Sequence, residues 1–342
     1  MNEDFKSFLE RNTSEKDIQQ SIMIIEEVTN FLIDTRKKHN FSKVSIEDLK
    51  SIVKYLLKNR KNSKKNLLAL LKYSRFVGNR EIEIALLELL DGNDILKKLM
   101  LKANKVECEK HREKIFNKIL LPKLGTFSVD KPKLTQKFME TLEAKLNLEE
   151  CKEVLLSGPH AGPKKEYLSE RQAFLESENV DDFLRKRHRE YLIELDQHMK
   201  NKELYFTQEI DKDVIEYVKN TPTCQNGVRQ GNIIYVTKIP YMAKKYFREK
   251  DPKLKRYYYC HCPWVREAIK SDIKISSNFC YCSAGYEKRP WDVIFNQPVK
   301  ADVLQTVLNG DLVCKFAIHI PEESHLPRKK KNQLLSKRPR YK

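Results

Sequence analysis

Between Tyr259 and Phe316 the chain places five of its eight cysteines. They fall as Cys260-His261-Cys262, then Cys280-Tyr281-Cys282, then Cys314 in a strand-like run. In an extended segment residues two apart point to the same side, so each Cys-x-Cys presents two thiols together. Two such pairs in register would supply four sulfurs to a tetrahedral zinc site, or three ligands and an open position. Thiolates also suit iron–sulfur clusters. Cys260, Cys262, Cys280 and Cys282 are therefore the candidate metal ligands, and zinc the candidate cofactor. His261 points away from them if the segment is extended, which makes it a weaker ligand. A reactive or ligand-contacting thiol pocket and plain burial are the competing readings, because a free cysteine packs like a small hydrophobe. For Cys314, on an apolar face with Leu312 and Phe316, burial is the better account. Cys108, Cys151 and Cys224 stand alone and read as structural; the i, i+3 pair Cys108 and His111 supplies only two donors.

Were the site hydrolytic, a thiolate-bound ion would lower the pKa of a water while a nearby side chain moved the proton. His261 and Glu267 are the candidate catalytic residues for that task, and Asp311 lies too near a turn. A closed four-thiolate site argues for a structural ion instead. Tyr257, Tyr258, Tyr259, Trp264 and Tyr281 could line an apolar ligand pocket, and as strand aromatics they could equally fill a core. Nucleotide, serine-hydrolase and zincin motifs are missing from the sequence.

With 342 residues the chain can bury a sizeable core without covalent staples. No apolar run reaches membrane-spanning length, and the first residues lack the basic and apolar regions of a secretory signal. A cytoplasmic, reducing location is expected, which turns the cysteines toward metal binding, reactivity or burial rather than disulfides. The net charge of +18 invites a nucleic-acid reading. After Glu323, however, Arg328, Lys329, Lys330, Lys331, Lys337, Arg338, Arg340 and Lys342 carry +8 of it with no acid. Such a tail reads as a disordered end that binds polyanions weakly.

The elements that must position the cysteines come in two textures. Residues 1–105 read as a helical bundle, with apolar residues at helical spacing from Ile18 to Leu32 and a helix opened by Ser45 with Glu47 and Asp48 in its first turn. Residues 106–220 read as mostly helical, broken at Leu121-Pro122 and at the loop Ser157–Pro163 around His160. From residue 221 to 321 a cysteine-rich α+β domain is expected. Asn232 to Thr237 and Leu254 to Cys260 look like strands, and Pro263 to Ile269 and Trp291 to Phe295 like short helices. Val299 to Leu308 and Asp311 to Ile320 flank Asn309-Gly310, the pair that a two-residue type I′ turn wants. That turn pairs Leu312 with Val307 and Phe316 with Val303. The fold class is α+β, with residues 322–342 as the basic tail.

The stretch Phe279-Cys280-Tyr281-Cys282-Ser283-Ala284-Gly285-Tyr286, followed by Gly310-Asp311-Leu312-Val313-Cys314-Lys315-Phe316, resembles a known signature. It is similar to the C-terminal end of 4-vinyl-reductase-type small-molecule-binding domains and of L-2-amino-thiazoline-4-carboxylic acid hydrolase-like proteins. Cys280, Cys282, Gly285, Asp311, Cys314 and Phe316 match by position. Tyr205 to Ile210, Thr237 to Tyr241 and Cys260 to Trp264 look like a functionally uncharacterised bacterial family related to that group. The resemblance implies an α+β sensor or hydrolase with a buried small-ligand pocket. Here Cys-x-Cys replaces a wider cysteine spacing, and Cys260 and Cys262 are additional.

Tyr259, Trp264, Tyr281, Gly285 and Phe316 are the candidate ligand contacts. The expected function is a cytoplasmic, sensor-like protein binding a small molecule or metal. The alternatives are a metal-dependent hydrolase of a small amide- or thiazoline-like substrate, and a nucleic-acid-associated regulator. No membrane partner is expected.

Overall fold

A computed structural model describes residues 2–10, 14–36, 40–111, 115–116, 121–159 and 162–322, with backbone alone for 108–111. His160, the basic tail from residue 323, and the side chains of Cys108 and His111 lie outside the described residues.

The N-terminal region is built of α1 (Asn2–Glu10), α2 (Glu15–Arg36), α3 (Ile46–Lys58), α4 (Lys64–Phe76) and α5 (Arg80–Leu90). Their apolar faces close on one core that includes Val28, Leu49, Leu56, Leu70 and Leu86. Ser45 opens α3 in a capping box with Asp48, satisfying helix N–H groups that would otherwise lack partners. Next come α6 (Ile95–His111), α7 (Pro132–Lys145), α8 (Leu148–Leu155), α9 (Leu168–Glu176) and α10 (Val180–Asn201). The strands β1 (Leu204–Tyr205) and β2 (Gln208–Glu209) make a small ladder before α11 (Lys212–Asn220).

The last third holds β3 (Val228–Gln230), β4 (Ile233–Thr237), α12 (Ala243–Arg248), α13 (Pro252–Tyr259), α14 (Tyr281–Ile294), β5 (Ala301–Gln305) and β6 (Lys315–His319). Its sheet is antiparallel in the order β3-β4-β6-β5. Ile234, Val236, Phe316 and Ile318 of the sheet pack on Phe183 of α10 and on Trp291 and Ile294 of α14. A second core joins Leu99 of α6, Phe138 and Leu142 of α7 and Val154 of α8 to Tyr259, Trp264 and Phe279. The α+β class is as expected. No helix among the described residues is long and apolar enough to cross a membrane.

Several local expectations are corrected. Leu254 to Tyr259 is helical, not a strand, and Cys260 caps the helix. Asp251 caps the Leu254 N–H and Pro252 occupies the first helical position, so start signals override the β-prone tyrosines. Cys280 closes a 3-10 turn and Cys282 lies in the first turn of α14. Helical residues two apart project to nearly opposite sides, so this doublet cannot present both thiols to one point as a strand would. Only Arg266–Ile269 of the expected Pro263 to Ile269 helix is helical, as a 3-10 turn, and Trp291 belongs to the longer α14.

The Asn309-Gly310 turn is also different. Val303 does pair with Phe316. Between the strands, though, Val307–Asn309 forms a 3-10 turn capped by Thr306, and Gly310 alone takes the left-handed conformation. Leu312 therefore falls outside the ladder and stays 46% exposed.

Gly285 shows how tightly α14 is set. A Cβ there would stand 2.6 Å from the Leu156 carbonyl oxygen and 3.0 Å from the Gly158 nitrogen, backbone atoms in both cases. Gly285→Ala is therefore expected to destabilise the protein by about 1–3 kcal/mol, read as a lower midpoint in chemical denaturation. An unchanged midpoint would mean that this contact has slack.

Candidate functional site

Directly after β4, Lys238 leaves the sheet and turns inward. Its backbone N–H donates to the Cys314 carbonyl at 3.3 Å, and its carbonyl accepts from the Tyr259 hydroxyl at 2.5 Å. The side chain is only 8% exposed; its ammonium stands 3.4 Å from the Glu287 carboxylate on α14 and 5.2 Å above the Tyr286 ring. Burial, the largest single influence, works to discharge the lysine, but the Glu287 charge, its hydrogen bond and the fields of Tyr286 and Cys314 together hold the ammonium above its ordinary pKa.

The cysteines gather around this cation. Cys260 caps α13, Cys282 is buried in α14, and Cys262, Cys280 and Cys314 are half-buried. Cys280 feels the fields of Cys314, Cys260 and Cys262, and Cys282 that of Cys262, so the two doublets do meet in one region. Lys238 acts on Cys260, Cys262, Cys282 and Cys314. Burial first, and neighbouring sulfurs next, push Cys260 and Cys262 up to about 12. Burial likewise raises Cys314 to about 11 and lifts Cys280 and Cys282 well above the ordinary thiol. At neutral pH these are thiols, not thiolates. Among the described residues no three His, Cys, Asp or Glu side chains are grouped as an ion would need.

His261 is half-buried, with Nε2 at 2.5 Å from the Ile239 carbonyl oxygen and its ring edge-on to Tyr241 at 5.2 Å. A carbonyl only accepts, so Nε2 carries the hydrogen. Burial, aided by the Lys238 charge, lowers its pKa to about 3, which leaves the imidazole neutral. Glu267 is engaged elsewhere: it accepts from the Tyr257 hydroxyl at 2.8 Å and lies 3.4 Å from Lys270.

The candidate ligand contacts divide. Tyr259, Trp264 and Phe316 are core residues with no exposed surface, and the first two also anchor backbone through their polar atoms. Gly285 serves helix packing. Tyr281 is half-buried, with the Lys152 ammonium 5.5 Å above its ring.

A second set of charges comes from the helical half. Arg266, 2% exposed, meets Glu88 of α5 at 3.1 Å and stacks between the rings of Tyr241 and Tyr257. The Tyr241 hydroxyl donates to the same Glu88 oxygen at 3.1 Å. The Trp264 indole N–H donates to the Gly92 carbonyl at 2.9 Å, and the Thr135 hydroxyl to the Trp264 carbonyl at 3.0 Å. Lys131, just before α7, is wholly buried under Trp264, its Nζ 5.1 Å from the ring centre. Asp91, next to Gly92, is exposed. Desolvation nevertheless raises its carboxyl pKa, with the Lys131 and Lys238 charges opposing.

Lys238, Glu287, Lys131, Arg266, Glu88 and Asp91 were not among the residues singled out by sequence. One signal was readable: Lys238 interrupts the apolar run Ile233 to Tyr241 just before Ile239-Pro240.

Residues 236–325 match the model of a family of unknown function (DUF6144). No curated protein and no solved structure matches the chain. The matched segment contains Lys238, His261, all five clustered cysteines and Glu287, whereas Glu88, Asp91 and Lys131 precede it.

Removing one partner of a buried pair strands the other charge. Glu287→Gln is expected to cost about 3–5 kcal/mol, and the double change Lys238→Met with Glu287→Leu distinctly less. Denaturant titrations of the variants check this. Equal losses in the single and double variants would show that the two side chains act independently.

Proposed function

We propose that the chain binds a small polar molecule at the junction between the helical half and the C-terminal α+β region. The observation that carries this reading is the Lys238–Glu287 ion pair set among half-buried thiols. His261, Cys262, Cys280 and Cys314 keep some contact with solvent while burial dominates their proton affinity. A few polar groups converging among apolar ones make the usual form of a ligand site. The resemblance of the Cys280 to Phe316 signature to small-molecule-binding domains supports the same reading.

A thiol-bound metal is the second reading, favoured by the convergence of both Cys-x-Cys doublets. An ion there would displace thiol protons and would face the Lys238 ammonium, which opposes a dication. Of the two proton carriers that a hydrolytic version would call on, His261 gives its N–H to Ile239 and Glu267 is held by Tyr257 and Lys270. Binding without hydrolysis is therefore the reading we adopt, with a sensor role as its natural use.

Native mass spectrometry of the full chain, with elemental analysis beside it, tests both. A small molecule retained by the unaltered protein and lost in Lys238→Met is the expected result. Stoichiometric zinc that disappears in Cys262→Ser and Cys280→Ser would favour the metal reading instead. A protein that carries neither, and whose melting temperature no small polar compound shifts, would end the proposal.

A further inference from the structure

The helices α12 and α13, with the turn between them, carry a concentration of unmatched positive charge. From Lys244 to Arg256 the chain places seven basic residues and two acids. Both acids are turned onto the backbone of the turn. Glu249 accepts from the N–H groups of Lys250 and Asp251 at 2.8 and 2.9 Å, and Asp251 accepts from the Leu254 N–H at 2.9 Å. Among the described residues, Lys244 alone of the seven makes ion pairs, with Glu209 at 3.1 Å and Asp211 at 3.8 Å. Arg248, Lys250 and Lys253 are exposed. On the helical half, by contrast, Lys61 and Lys65 each stand 2.7 Å from a carboxylate.

Two more of these cations are positioned by a reciprocal arrangement across the helix pair. The Lys245 ammonium on α12 lies 5.8 Å from the centre of the Tyr258 ring on α13, and the Lys255 ammonium on α13 lies 5.1 Å from the Tyr246 ring on α12. The Tyr246 hydroxyl in turn donates to the Leu312 carbonyl at 3.4 Å. A ring face attracts an ammonium without cancelling its charge. Both lysines are thus held in place and left open to an anion. Their mutual repulsion, and that of Arg248, Lys250 and Lys253, is relieved when an anionic partner arrives.

We propose that the α12–α13 pair is a docking surface for the phosphate backbone of a nucleic acid, read without regard to base sequence. The inference stands apart from the ligand site at the junction and from the basic tail. Charge complementarity calls for an anion, and the make-up of the surface selects which. A protein interface is built on apolar and aromatic anchors and is poor in lysine. An anionic membrane would take up apolar side chains beside the lysines. Neither helix offers such an anchor: Tyr246 is buried, and Phe247, Leu254 and Tyr258 are half-buried. Lysine and arginine with few competing acids are what neutralises phosphates. The lysines are point charges without a fixed fork, so they fix position and carry no sequence information.

The test is fluorescence anisotropy of the full chain with labelled DNA duplexes of two unrelated sequences, repeated over a salt series. Equal affinity for the two sequences is expected. The triple variant Arg248→Gln, Lys250→Gln, Lys253→Gln should bind at least about tenfold more weakly and lose about 3 from the salt slope, about 1 for each cation. Its melting temperature should match that of the unaltered chain, because all three side chains are exposed. The charge-conserving variant Arg248→Lys, Lys250→Arg, Lys253→Arg should bind as the unaltered chain does. Every protein in the comparison keeps the basic tail, so its attraction is common to all. A glutamine variant that binds with the same affinity and slope would assign the binding to the tail and overturn the proposal. So would a chain that binds neither duplex. Tighter binding to phosphatidylserine vesicles than to either duplex would overturn it in favour of a membrane surface.

Discussion

Taking the Lys238 ammonium and the Glu287 carboxylate out of water costs several kcal/mol for each charge, and their attraction repays it only while they are held in register. Much of the C-terminal architecture serves that end. Lys238 is fixed by the end of β4, by the Cys314 carbonyl ahead of β6 and by the Tyr259 hydroxyl at the end of α13. Glu287 is placed by α14, whose approach to the α8 turn leaves no room for a side chain at position 285. The ion pair and the helix contact thus depend on each other.

The same constraint explains the thiols better than a metal cage would. A cation at the centre of a mostly apolar region needs neighbours that are small, polarisable and uncharged, and a protonated cysteine is all three. The fields that connect Cys260, Cys262, Cys280, Cys282 and Cys314 arise because the end of α13, the start of α14 and the approach to β6 converge on Lys238. Because α14 begins as a helix rather than a strand, Cys280 and Cys282 sit on different sides of it, although both lie within reach of the Cys262 field.

What was legible in the sequence follows from range. Local signals were sufficient for α3, where Ser45 and Asp48 cap each other, and for β4, where β-branched residues alternate in burial. The pairing of Val303 with Phe316 came out as expected, although both the turn and a register shift between Val303 and Gln305 separate it from the Asn309-Gly310 signal. The reading failed at Leu254 to Cys260 because three adjacent tyrosines outweighed an Asp-Pro start signal that was in plain view. For the site, cysteine spacing located the right region and the wrong geometry. Apart from Lys238, the charged residues leave no pattern: Glu88, Asp91 and Lys131 come together with Lys238 only through tertiary packing across well over a hundred residues of chain.

That separation bears on which parts of the chain build the site. The family match spans residues 236–325 and so carries the ion pair, the thiols and His261. Glu88, which neutralises Arg266, and Lys131, which lies against Trp264, come from the helical half. Arg266 and Trp264 reach out of the matched segment to meet them, with the Trp264 indole fastened to Gly92. A segment that buries an arginine and a tryptophan against another part of the chain is not self-sufficient, because alone it would expose both. The junction is therefore built jointly: the C-terminal region supplies the ion pair and the sulfurs, and the helical half supplies Glu88, Asp91 and Lys131.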